Sequence, residues 1–230
     1  VSTQRTIICG KGRLGQLIAA ALQQQNACCE YARVDGVRGL VHDDKPMLGV
    51  VDTLIICFVP KHEENKSGWQ GLLNGLQQQV QSQSLQINRV LFISSTAVYE
   101  AIEKGFVSAQ TPVSGISIRS KGLLEAEKIV PQLSANSAIF RLTGLVGPGY
   151  NKYDPITYSN DKPRQAVDTR AVTREVAKWF LQPSSGHCIE VLTDGMIYWQ
   201  GKKLDAEKEV EAIETLSKKF RLLKPSIVCI

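Results

Sequence analysis

Two hydrophobic rhythms alternate along the chain: short continuous apolar runs, and longer stretches with a single apolar face. Thr6-Ile7-Ile8-Cys9 is the first run, and Leu14, Leu17, Ile18, Ala21 and Leu22 then form one stripe at helical spacing. Gln23, Gln24 and Gln25 fall on its polar side. Ala27 to Arg33 predicts a second strand, and Val37–Val41 a short one interrupted by Gly39. Asp52 to Val59 is continuously apolar until Pro60, as suits a parallel strand covered on both faces. A helix is predicted over Asn65–Ser82, burying Trp69, Leu72, Leu73, Leu76 and Val80. Arg89 to Ile93 is a strand that runs into Ser94-Ser95-Thr96-Ala97-Val98-Tyr99, followed by a loop over 100–113 and a helix over Ser117–Leu133. Ala138 to Leu142 is a strand ended by Gly144, Gly147, Pro148 and Gly149. Residues 150–167 read as loop, Thr169–Leu181 as a helix capped by Asp168 or Thr169, Cys188–Leu192 as a strand, and Asp205–Leu222 as a charged amphipathic helix.

Strands alternating with helices at this spacing predict an α/β fold, a doubly wound parallel sheet of Rossmann type with a reduced C-terminal appendage. One domain is expected over 1–230, with 150–230 contributing a shortened substrate side. Right-handed crossovers bring every strand C-terminus to one rim. That rim collects Gly10–Gly15, Arg33, Pro60, Ser94–Tyr99 and Gly144–Gly149, and ligands of such sheets bind there.

Composition narrows the classes. The chain has 230 residues, 43% of them hydrophobic, enough for a substantial core. Its net charge of +5 is mild and its basic residues are dispersed, which argues against a nucleic-acid partner. Six cysteines, at 9, 28, 29, 57, 188 and 229, form no C-x-x-C pair, and read as free thiols of a reducing compartment. No signal-peptide or membrane-spanning stretch is evident, so a cytoplasmic protein is expected. His42, His62 and His187 lack metal-ligand spacing, and no metal is predicted.

Gly10-Lys11-Gly12-Arg13-Leu14-Gly15 sits between the first strand and the first helix, the context in which G-x-G-x-x-G binds a dinucleotide. The first glycine allows a tight turn, the second a close approach of backbone to diphosphate, and the third close helix–strand packing. Amides at the helix start face the negative charge. The plainer alternative is a glycine-rich turn with no ligand.

In motif order over roughly residues 5–192, the chain resembles the extended short-chain dehydrogenase/reductase family, the NAD(P)-dependent epimerases and dehydratases of nucleotide sugars. The glycine hexapeptide fits its fingerprint. Ser94–Tyr99 is similar to its S-S-x-x-V-Y stretch, which puts the catalytic hydroxyl on Ser95. Ser120-Lys121 with Glu125 resembles its S-K-x-x-x-E run. Arg141 to Gly149 is similar to R-x-x-x-x-Y-G-P-G, and Gly186 to Val191 to the late G-x-x-Y-N-V strand. The chain also departs from the family. Ser117 stands where its Tyr-x-x-x-Lys pair has tyrosine, Glu100 where a glycine follows Val-Tyr, and Ala171 where an acid is usual, with Asp168 nearby. A serine hydroxyl is shorter and far less acidic than a phenol. Only about eighty residues follow Gly149, so the substrate-binding portion is short.

The resemblance implies an NAD(P)-dependent oxidoreductase or epimerase/dehydratase-like enzyme acting on a small polyhydroxylated, nucleotide-sugar-like substrate. Gly10, Gly12, Arg13, Leu14 and Gly15 would hold the diphosphate, Arg33 the adenosine ribose, and Lys121 the nicotinamide ribose, with Phe58 and Ser94 alongside. Ser95, Lys121 and Tyr99 are the catalytic candidates; Tyr153 and Tyr158 are other sources of a phenol, and each of the three tyrosines has a packing role as its rival. Placing Ala32 in the carboxylate slot of the second strand leaves Arg33 for a 2′-phosphate and favours NADP; Glu30 is the argument for NAD. The alternative class is a non-catalytic NAD(P)-binding sensor or scaffold. Related proteins dimerise through helices corresponding to 65–82 and 117–133, which permits a homodimer here.

Overall fold

The structure, a computed structural model, describes residues 4–60, 68–150, 162–182, 186–200, 202–205, 207–224 and 226–229. The chain runs through β1 (Arg5–Cys9), α1 (Arg13–Gln23) and β2 (Cys28–Asp35), then β3 (Gly39–His42), β4 (Lys45–Pro46), β5 (Gly49–Val51), β6 (Thr53–Ile56) and α2 (Gly68–Gln81). Next come β7 (Leu85–Ile87), β8 (Val90–Ser95), a 3-10 turn (Thr96–Tyr99), β9 (Gly105–Val107), α3 (Ile118–Leu133) and β10 (Ser137–Leu142). β11 (Gly144–Val146), β12 (Arg164–Asp168), α4 (Thr169–Leu181) and β13 (His187–Leu192) follow. The last part holds β14 (Met196–Trp199), β15 (Lys202–Asp205), α5 (Val210–Ser217), β16 (Arg221–Leu223) and β17 (Ser226–Cys229).

The main sheet has the order β17-β13-β10-β8-β6-β1-β2-β3-β4. Its six central strands, from β13 to β2, are mutually parallel. Period-two alternation divides the core between its faces. Ile7, Leu54, Ile56 and Phe92 join Trp69 and Leu73 of α2 and Leu123 and Val130 of α3 in one buried cluster. Ile8, Ile55, Leu91 and Phe140 join Leu14 and Ile18 of α1 and Val172 and Val176 of α4 in the other. The continuous apolar runs are therefore strands sandwiched between two helical layers, which is the doubly wound fold expected from the pattern.

Several boundaries differ from the sequence expectation. The second strand continues two residues beyond Arg33, and its neighbour β3 runs antiparallel, so a hairpin replaces a helical crossover at this edge. β12 takes up the last four residues of the stretch read as a loop over 150–167; residues 151–161, with Tyr153 and Tyr158, are outside the described residues, as is His62. The charged stretch Asp205–Leu222 is helical only over Val210–Ser217. Asp205 instead pairs with Met196 across a hairpin, and Leu222 pairs with Phe106 of β9 inside the 100–113 loop. Lys and Glu at helical spacing mimic a longer helix, but a hairpin neighbour takes one end of it as strand and a distant strand takes the other. β11, β12, β14 and β15 form a second sheet, and Ile197, Ile213, Leu216 and Leu222 form a small core of their own.

Candidate functional site

The chain leaves β1 for β2 on one side, then returns to β6 on the other. This reversal opens a crevice at the C-terminal ends of β1 and β6, where open α/β sheets bind ligands. The glycine hexapeptide lines it. Gly10 has φ +125°, and a Cβ there would lie 3.0 Å from the carbonyl carbon and oxygen of Cys57. A Cβ at Gly15 would lie 1.8 Å from the Gly10 carbonyl oxygen. Both glycines are thus required by the fold itself. Gly12 is different: its backbone is extended (φ −76°, ψ −177°), and a Cβ there would meet nothing within 4 Å among the described residues. No contact among the described residues accounts for a glycine at this position.

Gly12 is the N-cap of α1, which begins with no side-chain cap and no acidic residue in its first turn. Leu14 is buried beneath the turn, while Lys11 and Arg13 are exposed above it. Such a start concentrates positive partial charge at the rim. Tyr150 reaches the same place from the turn after β11, and its ring lies under the Arg13 guanidinium at 5.9 Å. Burial pushes this phenol up, against the opposing pull of Arg13 and the Leu14 amide.

The register of β2 bears on the adenosine end. Ala32 sits opposite Cys9, so Arg33 stands level with Gly10, whereas Glu30 faces Ile7 farther down the sheet. The exposed Arg33 donates to Asp44 at 2.5 Å and to Asp35 at 3.4 Å. Amides of Arg38 and Val37, with the Arg38 guanidinium, hold the Asp35 carboxyl well below the usual carboxylate range.

At the ends of β8 and β10 lies a buried polar network. Ser94 Oγ donates to Glu127 at 2.6 Å, and the Arg141 guanidinium grips the same carboxylate with contacts of 3.1 and 2.7 Å. A third Arg141 nitrogen donates to the Tyr99 hydroxyl at 2.7 Å, which donates in turn to the Ser108 carbonyl at 2.8 Å. Tyr99 is fully buried, its phenol raised by burial against the pull of Arg141. Ser94 and Tyr99 are thus brought together here, beneath the rim. Ser95, half-buried at the rim, accepts from the Ala97 amide at 3.3 Å and so caps the turn. A hydroxyl that accepts one bond keeps its proton to donate. Phe58 flanks the crevice with its ring 5.0 Å from Trp69.

Lys121 is exposed in the first turn of α3, a helix that packs on β8 and on the Thr96–Tyr99 turn. Ser117 is the N-cap of that helix and accepts from the Ser120 amide. Its hydroxyl also donates to Glu100 at 2.8 Å. Glu100 further accepts from the amides of Ile116 and Ser117 and from the Ser120 hydroxyl. Burial alone would raise this carboxyl, but these donors bring it down to about 2. Ser117 and Glu100 therefore serve one another, as cap and acceptor, at the start of α3.

Glu127, Arg141 and Tyr150 did not emerge from the sequence as site residues, although two of them carry a signal. Arg141 is a charge inside an apolar strand, and Glu127 falls between Leu123 and Val130 on the buried stripe of α3. Two charges at core positions call for each other. Tyr150 has no comparable mark. Among the described residues no cluster of three His, Cys, Asp or Glu side chains could hold a metal ion, and no helix is long and apolar enough to cross a membrane.

No protein-family model matches the sequence, and no curated relative does. Solved structures match over almost the whole chain. A conserved protein of unknown function from Silicibacter pomeroyi DSS superimposes with a TM-score of 0.66 at 18% identity, covering 97% of this chain and 90% of its own. RMD from Pseudomonas aeruginosa, solved in complex with NADPH, gives 0.60 at 15% identity, covering 96% and 87%. The UDP-N-acetylglucosamine 4-epimerase from Bacillus cereus gives 0.61 at 13%, covering 96% and 88%. What the chain shares with these proteins at such identities is their Rossmann-type fold.

Proposed function

We propose that this chain binds a nicotinamide dinucleotide along the β1/β6 crevice and uses it as an oxidoreductase or epimerase/dehydratase on a small polyhydroxylated, nucleotide-sugar-like substrate. The observation that carries the reading is Gly12, a glycine that no contact among the described residues demands, placed where backbone must approach a ligand. The fold neighbours solved with NADPH or named for UDP-N-acetylglucosamine support the same class.

In this reading the Gly10–Gly15 backbone and Arg13 hold the diphosphate, while Arg33, level with Gly10, takes a 2′-phosphate and favours NADP over NAD. Lys121 holds the nicotinamide ribose, Phe58 flanks the crevice, and the Ser95 hydroxyl bonds a substrate oxygen. The bound dinucleotide supplies hydride transfer. Ser94 and Tyr99 are positioning residues, because both hydroxyls are committed to the Glu127–Arg141 network that sets the ends of β8 and β10.

A second reading, a dinucleotide sensor without turnover, is favoured by the Glu100–Ser117–Ser120 cluster. If Ser117 occupies the family's tyrosine position, an anionic carboxylate and a capping hydroxyl stand where a phenol would move a proton. Titration with NADPH and NADH by fluorescence, followed by a panel of sugar-nucleotide and carbonyl substrates in the tighter complex, separates the two. Turnover lost in Lys121→Ala supports the enzyme; tight binding with no turnover across the panel supports the sensor. Failure of both nucleotides to bind refutes both.

A further inference from the structure

At one edge of the main sheet two carboxylates share one arginine. β2 ends at Asp35 and turns into β3, which returns antiparallel with Val41 opposite Arg33. β3 then meets β4 through a two-residue hairpin, His42 pairing with Lys45. Asp43 and Asp44 are its central residues, with φ of +47° and +61°, the left-handed pair that so tight a hairpin turn requires. The doubled-back chain carries Asp44 over the end of β2, where its Oδ1 accepts from the Arg33 guanidinium at 2.5 Å. Asp35 is committed elsewhere. One of its oxygens accepts from the amides of Val37 and Arg38 at 3.0 and 2.9 Å, the other from the Arg38 side chain at 3.0 Å and from Arg33 at 3.4 Å. Arg38 also donates to the Asp44 carbonyl at 3.1 Å, which ties the hairpin tip to the end of β2. The Asp44 side chain itself is 83% exposed, and among the described residues Arg33 is the cation it meets.

We infer that Asp44 is a specificity-determining residue, a carboxylate that the hairpin sets against the 2′-phosphate of the dinucleotide by holding the arginine that would bind it. The inference rests on the dinucleotide reading given above, in which Arg33 takes that phosphate. A guanidinium grips a phosphate best through two parallel N–H donors. Here one terminal nitrogen of Arg33 already donates to Asp44 and the other to Asp35. A 2′-phosphate must either draw Arg33 away from Asp44 or settle beside it. The first breaks an ion pair, and the second puts two anions on one cation. A ribose with a free 2′-hydroxyl brings no charge and meets neither penalty. At an exposed site water and salt screen both, so together they correspond to a factor of roughly three to ten against NADPH.

Removing the charge while keeping the turn tests this. Asparagine suits a left-handed hairpin position, so Asp44→Asn preserves the turn. It should bind NADPH roughly three- to tenfold more tightly than wild type, with NADH affinity unchanged. Asp43→Asn is the control: it removes the same charge one residue away, where the carboxylate lies 3.3 Å from His42 Nε2 instead, and both affinities should stay close to wild type. Thermal melts identify any loss of folding, and Asp44→Gly, which also suits the turn, repeats the comparison. Unchanged or weaker NADPH binding by the folded Asp44 variants overturns the inference and leaves the dinucleotide site standing. An equal gain for NADH, or an equal gain from Asp43→Asn, overturns it too. Failure of wild type and all variants to bind either nucleotide overturns the inference together with the reading beneath it.

Discussion

Replacing Gly12 and Gly15 one at a time separates what a ligand demands from what the fold demands. At Gly12 the backbone suits any residue, and an added methyl meets no atom of the described residues within 4 Å. Alanine is the poorer N-cap by roughly 1 kcal/mol. Restricting the unfolded chain returns about 0.4–1 kcal/mol. The two offset, and Gly12→Ala should melt within about 2 °C of wild type. At Gly15 the methyl would lie 1.8 Å from the Gly10 carbonyl oxygen, against an ordinary contact of 3.4 Å or more, so α1 must shift by about 1.6 Å or the turn must break. Overpacking of this kind costs about 3 kcal/mol or more. In a chain of this size that lowers Tm by roughly 6–12 °C. Affinity should respond differently: a methyl in the approach of the diphosphate costs about 1–3 kcal/mol, roughly 5- to 150-fold in Kd. Calorimetric melts and NADPH fluorescence titrations of the two variants decide the matter. If Gly12→Ala melts as low as Gly15→Ala, or binds NADPH like wild type, the argument from Gly12 is wrong.

Glu127→Gln leaves Arg141 buried without its counter-charge, which should cost about 3–5 kcal/mol in urea unfolding; Glu127→Met combined with Arg141→Met should recover most of it. Arg33→Ala should weaken NADPH by about 10- to 100-fold while leaving NADH nearly unchanged, as isothermal titration of both nucleotides will register. Two carboxylates should give stability opposite pH dependences. Glu100, brought down from 4.5 to about 2 by its donors despite burial, adds stability above about pH 4.5 that is lost as pH falls toward 2, and Glu100→Gln should abolish that slope. Glu190, pushed up from 4.5 to about 7 by burial and then by Glu175, adds stability below pH 4.5 that is lost as pH rises through 7. Urea midpoints of wild type and Glu190→Gln should therefore converge in acid and separate above neutrality, with the variant the more stable.

The parts of this protein visible in its sequence are those encoded by neighbours along the chain. Apolar runs and helical stripes set the order of strands and helices, because burial on a sheet or under a helix imposes its own period. That order implies the crossovers, and the crossovers bring Gly10–Gly15, Arg33 and Ser94–Tyr99 to one rim. Local charge pattern misled where strand partners competed for the same residues. Asp205 was claimed by Met196 across a hairpin, and Leu222 by Phe106, more than a hundred residues away, and nothing adjacent to Leu222 marks that pairing.

Only the tertiary structure decided how the rim's side chains are used. The resemblance marked Ser94, Tyr99, Ser117 and Glu100 as motif positions or departures from one. The fold committed two of them to a buried network through Glu127 and Arg141, and made the other two partners at a helix start. It likewise brought Tyr150 under the Arg13 guanidinium, more than a hundred residues away in the chain. A hydroxyl or a carboxylate carries no sign in the sequence of which donor it will meet. Hydrogen bonding acts over a few ångströms, and those ångströms exist only once the sheet has closed.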